Sequence, residues 1–125
     1  MERPWFSSYE ARVPRTLEYP AITLADLLNQ TVRTYPQHTA TKFVLSYLLG
    51  GRLTVGGQLT YQQLGEAIDR FAKALYQLGV RKGERDAAML PNSPHYAISF
   101  FAAMRLVANV VNVNPTYTSR ELQHQ

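Results

Sequence analysis

Residues 79–125 read GVRKGERDAAMLPNSPHYAISFFAAMRLVANVVNVNPTYTSRELQHQ. This stretch decides the fold, because turn chemistry stands at nearly every join. Gly79 follows a helical repeat and suits the left-handed position just past a helix end. Gly83-Glu84 makes a turn into a short strand, Arg85–Leu90, which Pro91-Asn92 breaks. Ser93 is placed to cap the next helix, and Pro94 takes its first position, where a missing N–H costs nothing. Tyr96, Ile98, Phe100, Phe101, Ala103, Met104 and Leu106 are apolar nearly all round, the pattern of a helix buried on more than one side. Ala108–Val113 reads as a second strand. Its Val110, Val111 and Val113 form the apolar run of a central parallel strand, and Asn114-Pro115 ends it. Thr118 with Glu121 forms a capping box opening a helix that runs to Gln125.

Strand, helix and strand in this order form a β-α-β unit, with parallel strands and a right-handed crossover. The predicted class is therefore α/β: helices packed on a small, mainly parallel sheet, with a β-hairpin. Two parallel strands are too few to stand alone, since such sheets have both faces covered. The partner strands are expected either from the hairpin at 41–55 or from residues beyond 125. The chain stops inside an element, so a piece of a larger protein is expected.

Working outward, Thr60-Tyr61-Gln62-Gln63 is a second capping box. Leu64, Ile68, Phe71, Ala72, Leu75 and Leu78 then recur at helical spacing up to Gly79. Ahead of it, Thr41–Leu49 and Arg52–Val55 read as strands around Gly50-Gly51, a pair suited to a tight hairpin turn with positive φ. Gly56-Gly57 is expected to end the second strand. Thr23 and Asp26 resemble a further capping box, opening a helix with the stripe Leu24, Leu27, Leu28 and Val32. That helix should end near Tyr35, because Pro36 disfavours helical geometry in the residue before it. Residues 1–22 carry Pro4, Pro14 and Pro20 without any period. They read as an extended arm that packs through Trp5, Phe6, Tyr9 and Tyr19. The domain proper is then 23–125, truncated at its end.

The bulk numbers fit one globular domain: 125 residues, 46% hydrophobic and 18% charged. Thirteen basic against nine acidic residues leave a net charge of +4. The densest basic patch, Arg81, Lys82 and Arg85, is interrupted by Glu84 and reads as a solvated turn, so nucleic acid is not an expected partner. With no cysteine, disulfides and thiolate metal sites are excluded and a reducing compartment is favoured. No apolar run approaches the roughly 20 residues that span a bilayer. The first residues lack the apolar core of a signal peptide, so a cytoplasmic location is expected.

Reacting groups are scarce. No Gly-rich loop ends in Gly-Lys-Ser/Thr, and there is no GxGxxG. Gly50-Gly51 and Gly56-Gly57 read as turns rather than phosphate cradles. His38, His95 and His124 have no potential ligand three or four residues away in a metal-binding pattern. Ser93 is explained as a cap and lacks the flanking glycines of a nucleophile elbow. Tyr61, Tyr96 and Tyr117 could reach a ligand but read first as core or rim residues. Leu90-Pro91-Asn92-Ser93 would lie at the carboxyl end of a parallel strand, where α/β folds place ligands, beside a helix start with free N–H groups for an anion. No catalytic, cofactor-binding or metal residue is assigned.

Leu59-Thr60-Tyr61, Gly79 to Arg85 (GVRKGER), Leu90 to Pro94 (LPNSP), and Val110 to Thr118 (VVNVNPTYT) with Arg120-Glu121-Leu122 occur in this order and spacing. Together they closely resemble the acyl-activating, AMP-forming enzymes: acyl-CoA synthetases, luciferases and adenylation domains. VVNVNP with Tyr117-Thr118 and the closing RELQHQ looks most like long-chain fatty-acid–CoA ligases. So do Pro4-Trp5, Ser8-Tyr9 and Tyr35-Pro36, and the resemblance covers essentially the whole chain. It implies a parent enzyme that uses Mg-ATP to join AMP to a fatty acid and then transfers the acyl group to coenzyme A. The chemical motifs of that family lie further along its chains, so no functional residue carries over. The expectation is an N-terminal, scaffold-only part, inert alone. Its partners are the remainder of the parent chain, with fatty acid, ATP and coenzyme A binding the parent. A homodimer and weak peripheral membrane association stay open. The alternatives are a ligase for an aryl or amino acid, or a non-catalytic interaction or membrane-surface module using the arm and basic patch.

Two positions depart from the family pattern. Asp86 stands where an apolar residue is usual, and Val107-Ala108-Asn109 replaces a Gly-Ala run. Asp86 and Asn109 would fall on neighbouring strands. An unpaired buried carboxylate is costly, so they are expected to be partnered, with each other if Asp86 is protonated, unless the local pairing differs.

Overall fold

The computed structural model describes residues 3–125. Its elements run α1 (Leu24–Thr34), β1 (Thr39–Leu48), β2 (Leu53–Thr60), α2 (Tyr61–Gln77), β3 (Arg85–Ala88), α3 (Pro94–Arg105), β4 (Asn109–Asn112) and α4 (Ser119–His124), after one short 3-10 turn at Pro4–Ser8. Three helices start with the boxes their sequences encode. Thr60 Oγ1 accepts from the Gln63 N–H at 3.2 Å, while Gln63 Oε1 accepts from the Thr60 N–H at 2.9 Å. Thr23 with Asp26 and Thr118 with Glu121 do the same for α1 and α4. Each box satisfies two of the N–H groups that a helix start leaves open.

Helix α2 turns Leu64, Ile68, Ala72 and Leu75 inward, onto Ala102, Ala103 and Ala108 of the α3–β4 region and Leu28 of α1. Ile68 is fully buried, and burying a side chain of that size contributes about 1.5–3 kcal/mol. The helix ends as Gly79 predicts. At φ 105° it donates its N–H to Tyr76 O at 3.1 Å, and Val80 donates to Leu75 O at 3.0 Å. This is a Schellman motif. Helix α3 ends in the same way but without glycine. Val107 donates to Met104 O and Ala108 to Ala103 O, both at 3.1 Å, with Val107 at φ 56°.

Strands β3 and β4 pair in parallel, from Arg85 opposite Asn109 to Ala88 opposite Asn112, so the order and the parallel pairing of the β-α-β unit are as expected. Backbone bonds extend the ladder at both ends: Gly83 N–H to Val107 O (2.9 Å), Asn109 N–H to Glu84 O (2.7 Å) and Val113 N–H to Ala88 O (3.0 Å). Helix α3 covers one face, and His95 is its one exposed position.

Several expectations need correction. The hairpin does not complete the parallel sheet; β1 and β2 form their own two-stranded antiparallel sheet. Its loop is Leu49–Arg52, four residues, with Leu49 and Gly50 at positive φ. Gly56-Gly57 does not end β2 but lies inside it. The register shifts between Val44 and Ser46, opposite Gly56 and Val55, leaving Leu45 as the extra residue of a bulge. A methyl group on Gly56 would fall inside the Phe43 carbonyl, so the strand needs a residue without Cβ there. On α1, Leu28 is buried, but Leu24 and Leu27 are about half exposed. The arm lies largely open: from Arg3 to Leu24 every residue except Phe6 is exposed. Its aromatics meet one another instead, Phe6 edge-on to Trp5 and Tyr9.

Asp86 and Asn109 are not partners. In the parallel register Asp86 stands beside Val110, and Asn109 beside Arg85. Asn109 Nδ2 donates instead to Gly83 O at 2.9 Å. Asp86 is only partly buried, so it does not meet the full cost expected for a completely buried, unpaired carboxylate. No helix among the described residues is long and apolar enough to cross a membrane.

Candidate functional site

The position singled out in the sequence, 90–93, lies where β3 leaves the sheet and α3 begins. Ser93 occupies the cap position, but its side chain makes no capping hydrogen bond. Its carbonyl accepts from the Tyr96 N–H at 3.1 Å. Pro94 has no N–H to offer, so two of the first-turn donors proposed for an anion are absent or used. That leaves fewer donors for an anion than the sequence suggests.

Polar groups gather more densely at the end of β4. The Tyr96 hydroxyl and Asn112 Oδ1 are 3.0 Å apart, and Gln125 Nε2 donates to Asn112 O at 3.0 Å. Asn114 Oδ1 accepts from the Thr116 N–H (3.1 Å) and hydroxyl (2.9 Å), closing the turn that leads into α4. Of the three tyrosines, Tyr96 is therefore a tether from α3 to β4. Tyr61 lines an apolar groove of about 310 Å³ between α1, α2 and α3. Tyr117 lies beside Arg120, Glu121 and His124 on α4. The structure does not bring the three together.

A second groove, about 510 Å³, runs between the base of the hairpin, α2 and the start of α3. Phe43, Leu59 and Ile98 give it apolar walls; Glu66 and Arg70 give it charge, and His95 adds a polar ring at its rim. His95 is thus at a groove rim and His124 on α4, while His38 stacks edge-on to Tyr35 at 5.3 Å between ring centroids. Among the described residues, no three histidines or carboxylates gather as metal ligands.

The basic patch reads as a turn. Arg81 lies over the Tyr76 ring at 3.7 Å and donates to Tyr76 O and Val80 O, while its own N–H reaches Glu84. Sequence reasoning missed Arg105. This residue forms an ion pair with Asp69 of α2, and its Nη2 donates to Asn29 of α1 at 2.8 Å. The available signal was a lone cation closing an otherwise apolar helix. Its role is to join three helices.

The polar end of β4 and the grooves beside α2 and α3 are thus the geometry available for a site. The AMP-binding enzyme family profile matches residues 28–125. A long-chain-fatty-acid–CoA ligase of Escherichia coli is 37% identical over 127 aligned residues, covering 100% of this chain and 21% of the relative. The corresponding ligase of Bacillus subtilis is 32% identical over 99% of the chain and 20% of its own length. Among solved structures, a long-chain-fatty-acid–CoA ligase of Archaeoglobus fulgidus superposes with a TM-score of 0.72 at 28% identity, covering 87% of this chain and 21% of that one. The N-terminal subdomain of Klebsiella oxytoca NpsA superposes with a TM-score of 0.69 at 23% identity, over 81% of this chain and 24% of that one, a likeness of fold. The chain spans about a fifth of the length of the curated relatives it matches. On this match across most of its length, the chain belongs to the AMP-binding enzyme family.

Proposed function

We propose that this chain is the opening part of a cytoplasmic, ATP-dependent, AMP-forming ligase that joins a long-chain fatty acid to coenzyme A. The observation that carries this is the similarity, over essentially the whole chain, to relatives that bear that name. In this reading residues 1–22 are an arm and 23–125 begin the large N-terminal domain. The remainder of the parent chain is the partner that holds Mg-ATP, fatty acid and coenzyme A. There a carboxylate oxygen attacks the α-phosphorus of ATP and pyrophosphate leaves. The coenzyme A sulfur then attacks the acyl carbon, and AMP departs. The residues described here contribute no reacting group; they position the elements that follow.

Fatty-acid-dependent ATP–pyrophosphate exchange tests both halves of the proposal. The purified 125-residue chain is expected to show none, and the parent reading frame is expected to show it with long-chain acids. Exchange by the chain alone would refute inertness. Exchange by the parent with aryl or amino acids, and not with fatty acids, would refute the substrate class.

A further inference from the structure

No described residue covers the outer half of the β1–β2 hairpin. Leu45, Tyr47 and Leu49 are 70%, 67% and 77% exposed, and Leu48 and Leu53 about half exposed. Consecutive strand residues point to opposite faces. Tyr47 therefore occupies one face, while the cross-strand pair Leu48–Leu53 occupies the other. Both faces are apolar and both are open. A two-stranded ribbon of this kind is marginal in water and gains from a cover.

We propose that this hairpin tip inserts into the surface of an anionic lipid bilayer. Three observations favour lipid over protein as the cover. First, residues 39–60 contain no aspartate or glutamate but carry Lys42 and Arg52, so all nine acidic residues of the chain lie elsewhere. That balance complements an anionic surface. Second, the groups are ordered by depth. Leucines crown the loop, Tyr47 sits one pair below with Thr54 opposite, and Lys42 lies further down beside Gln58. Apolar, aromatic and cationic layers follow the same order across a membrane interface. Arg52, in the loop itself, has an aliphatic stem long enough to return its charge to the headgroups. Third, a protein partner seated on one face would leave the other wet, whereas immersion covers both. From Leu45 to the loop the ribbon advances by about 10 Å at strand rise, the depth at which interfacial segments sit. Insertion depends on the hairpin alone, whichever acid the parent activates.

The absence of native cysteine makes the test specific. Leu49→Cys, labelled with an environment-sensitive fluorophore, reports from the tip alone, and Lys73→Cys on the exposed side of α2 serves as the control. With phosphatidylcholine vesicles containing phosphatidylglycerol, the full chain is expected to co-sediment. The Leu49 label should shift to the blue and the Lys73 label should not. Leu48→Asp with Leu49→Asp should weaken binding at least tenfold, and Lys42→Gln about fivefold. Far-UV circular dichroism should show these variants folded, since Lys42, Leu48 and Leu49 are all exposed. An unshifted Leu49 label, or binding unchanged by the double substitution, would overturn the proposal. So would a blue shift that needs no vesicles and grows with protein concentration, because copies would then be pairing through the tip.

Discussion

Val107 is a β-branched residue in the left-handed region, φ 56°, at the position of a Schellman motif that glycine normally fills. Replacing it with glycine should stabilise the chain. An L-residue there carries about 1–2 kcal/mol of steric strain, which glycine lacks. Against this, glycine raises the entropy of the unfolded chain by about 0.5–1 kcal/mol. Little packing is lost, because Val107 is 56% exposed. The carbonyl that accepts from the Gly83 N–H is backbone and remains. The net gain is about 0.5–1 kcal/mol, or roughly 2–5 °C in Tm for a domain of this size. Urea denaturation followed by circular dichroism should show a higher midpoint at unchanged slope. Val107→Ala keeps Cβ and should fall between the two. A Val107→Gly chain destabilised by about 0.5 kcal/mol or more, the entropic cost acting without any relief of strain, would refute the reasoning.

Gly56→Ala should cost about 1–3 kcal/mol, because the new methyl collides with the Phe43 carbonyl; amide exchange should show the loss concentrated in the hairpin. Arg105→Met should cost about 2 kcal/mol by removing the bonds to Asp69 and Asn29. A double-mutant cycle with Asp69→Asn should return a coupling of about 1 kcal/mol or less, since Asp69 is half exposed and screened. The Asp26 carboxyl is held below its ordinary value by the Thr23 hydroxyl and then its N–H, and that of Glu121 by the Thr118 N–H and then its hydroxyl. A lowered folded-state pKa means that these boxes contribute fully above the ordinary carboxylate range and lose their contribution as pH falls through the depressed values. Acid titration of stability should therefore be shallower in Thr23→Val and Thr118→Val chains, and an unchanged profile would refute the linkage.

Features encoded within a few residues were legible in the sequence. Capping boxes, the Gly79 helix end, Pro94 at a first helical position and the β-α-β order all depend on near neighbours, and all appear in the structure. Features set across the chain were not. The place of Gly56 depends on Phe43 on the opposite strand. The fates of Asp86 and Asn109 depend on a register that no local pattern specifies. The arm's aromatics suggested packing, yet nothing in their spacing says whether a surface exists to receive them. The place of residues 90–93 between β3 and α3 was legible, but their hydrogen bonding was not. Ser93 looked like a cap by type and position, but its side chain leaves that bond unmade. Arg105 carries no local motif at all, since its partners lie on two other helices.

That last residue has a kinetic consequence. The bond from Arg105 to Asn29 spans 76 residues, against 26 for the bond joining Asn109 to Gly83. Closing the longer loop must await docking of α1, so the contact is expected to form after the main folding barrier is crossed. Its energy then belongs to the native state and not to the transition state. An Arg105→Met chain should fold at nearly the original rate and unfold faster, moving the unfolding arm of the chevron and leaving the folding arm in place. On that account Arg105 works as a latch on the finished structure, setting how long the three helices stay together rather than how quickly they meet.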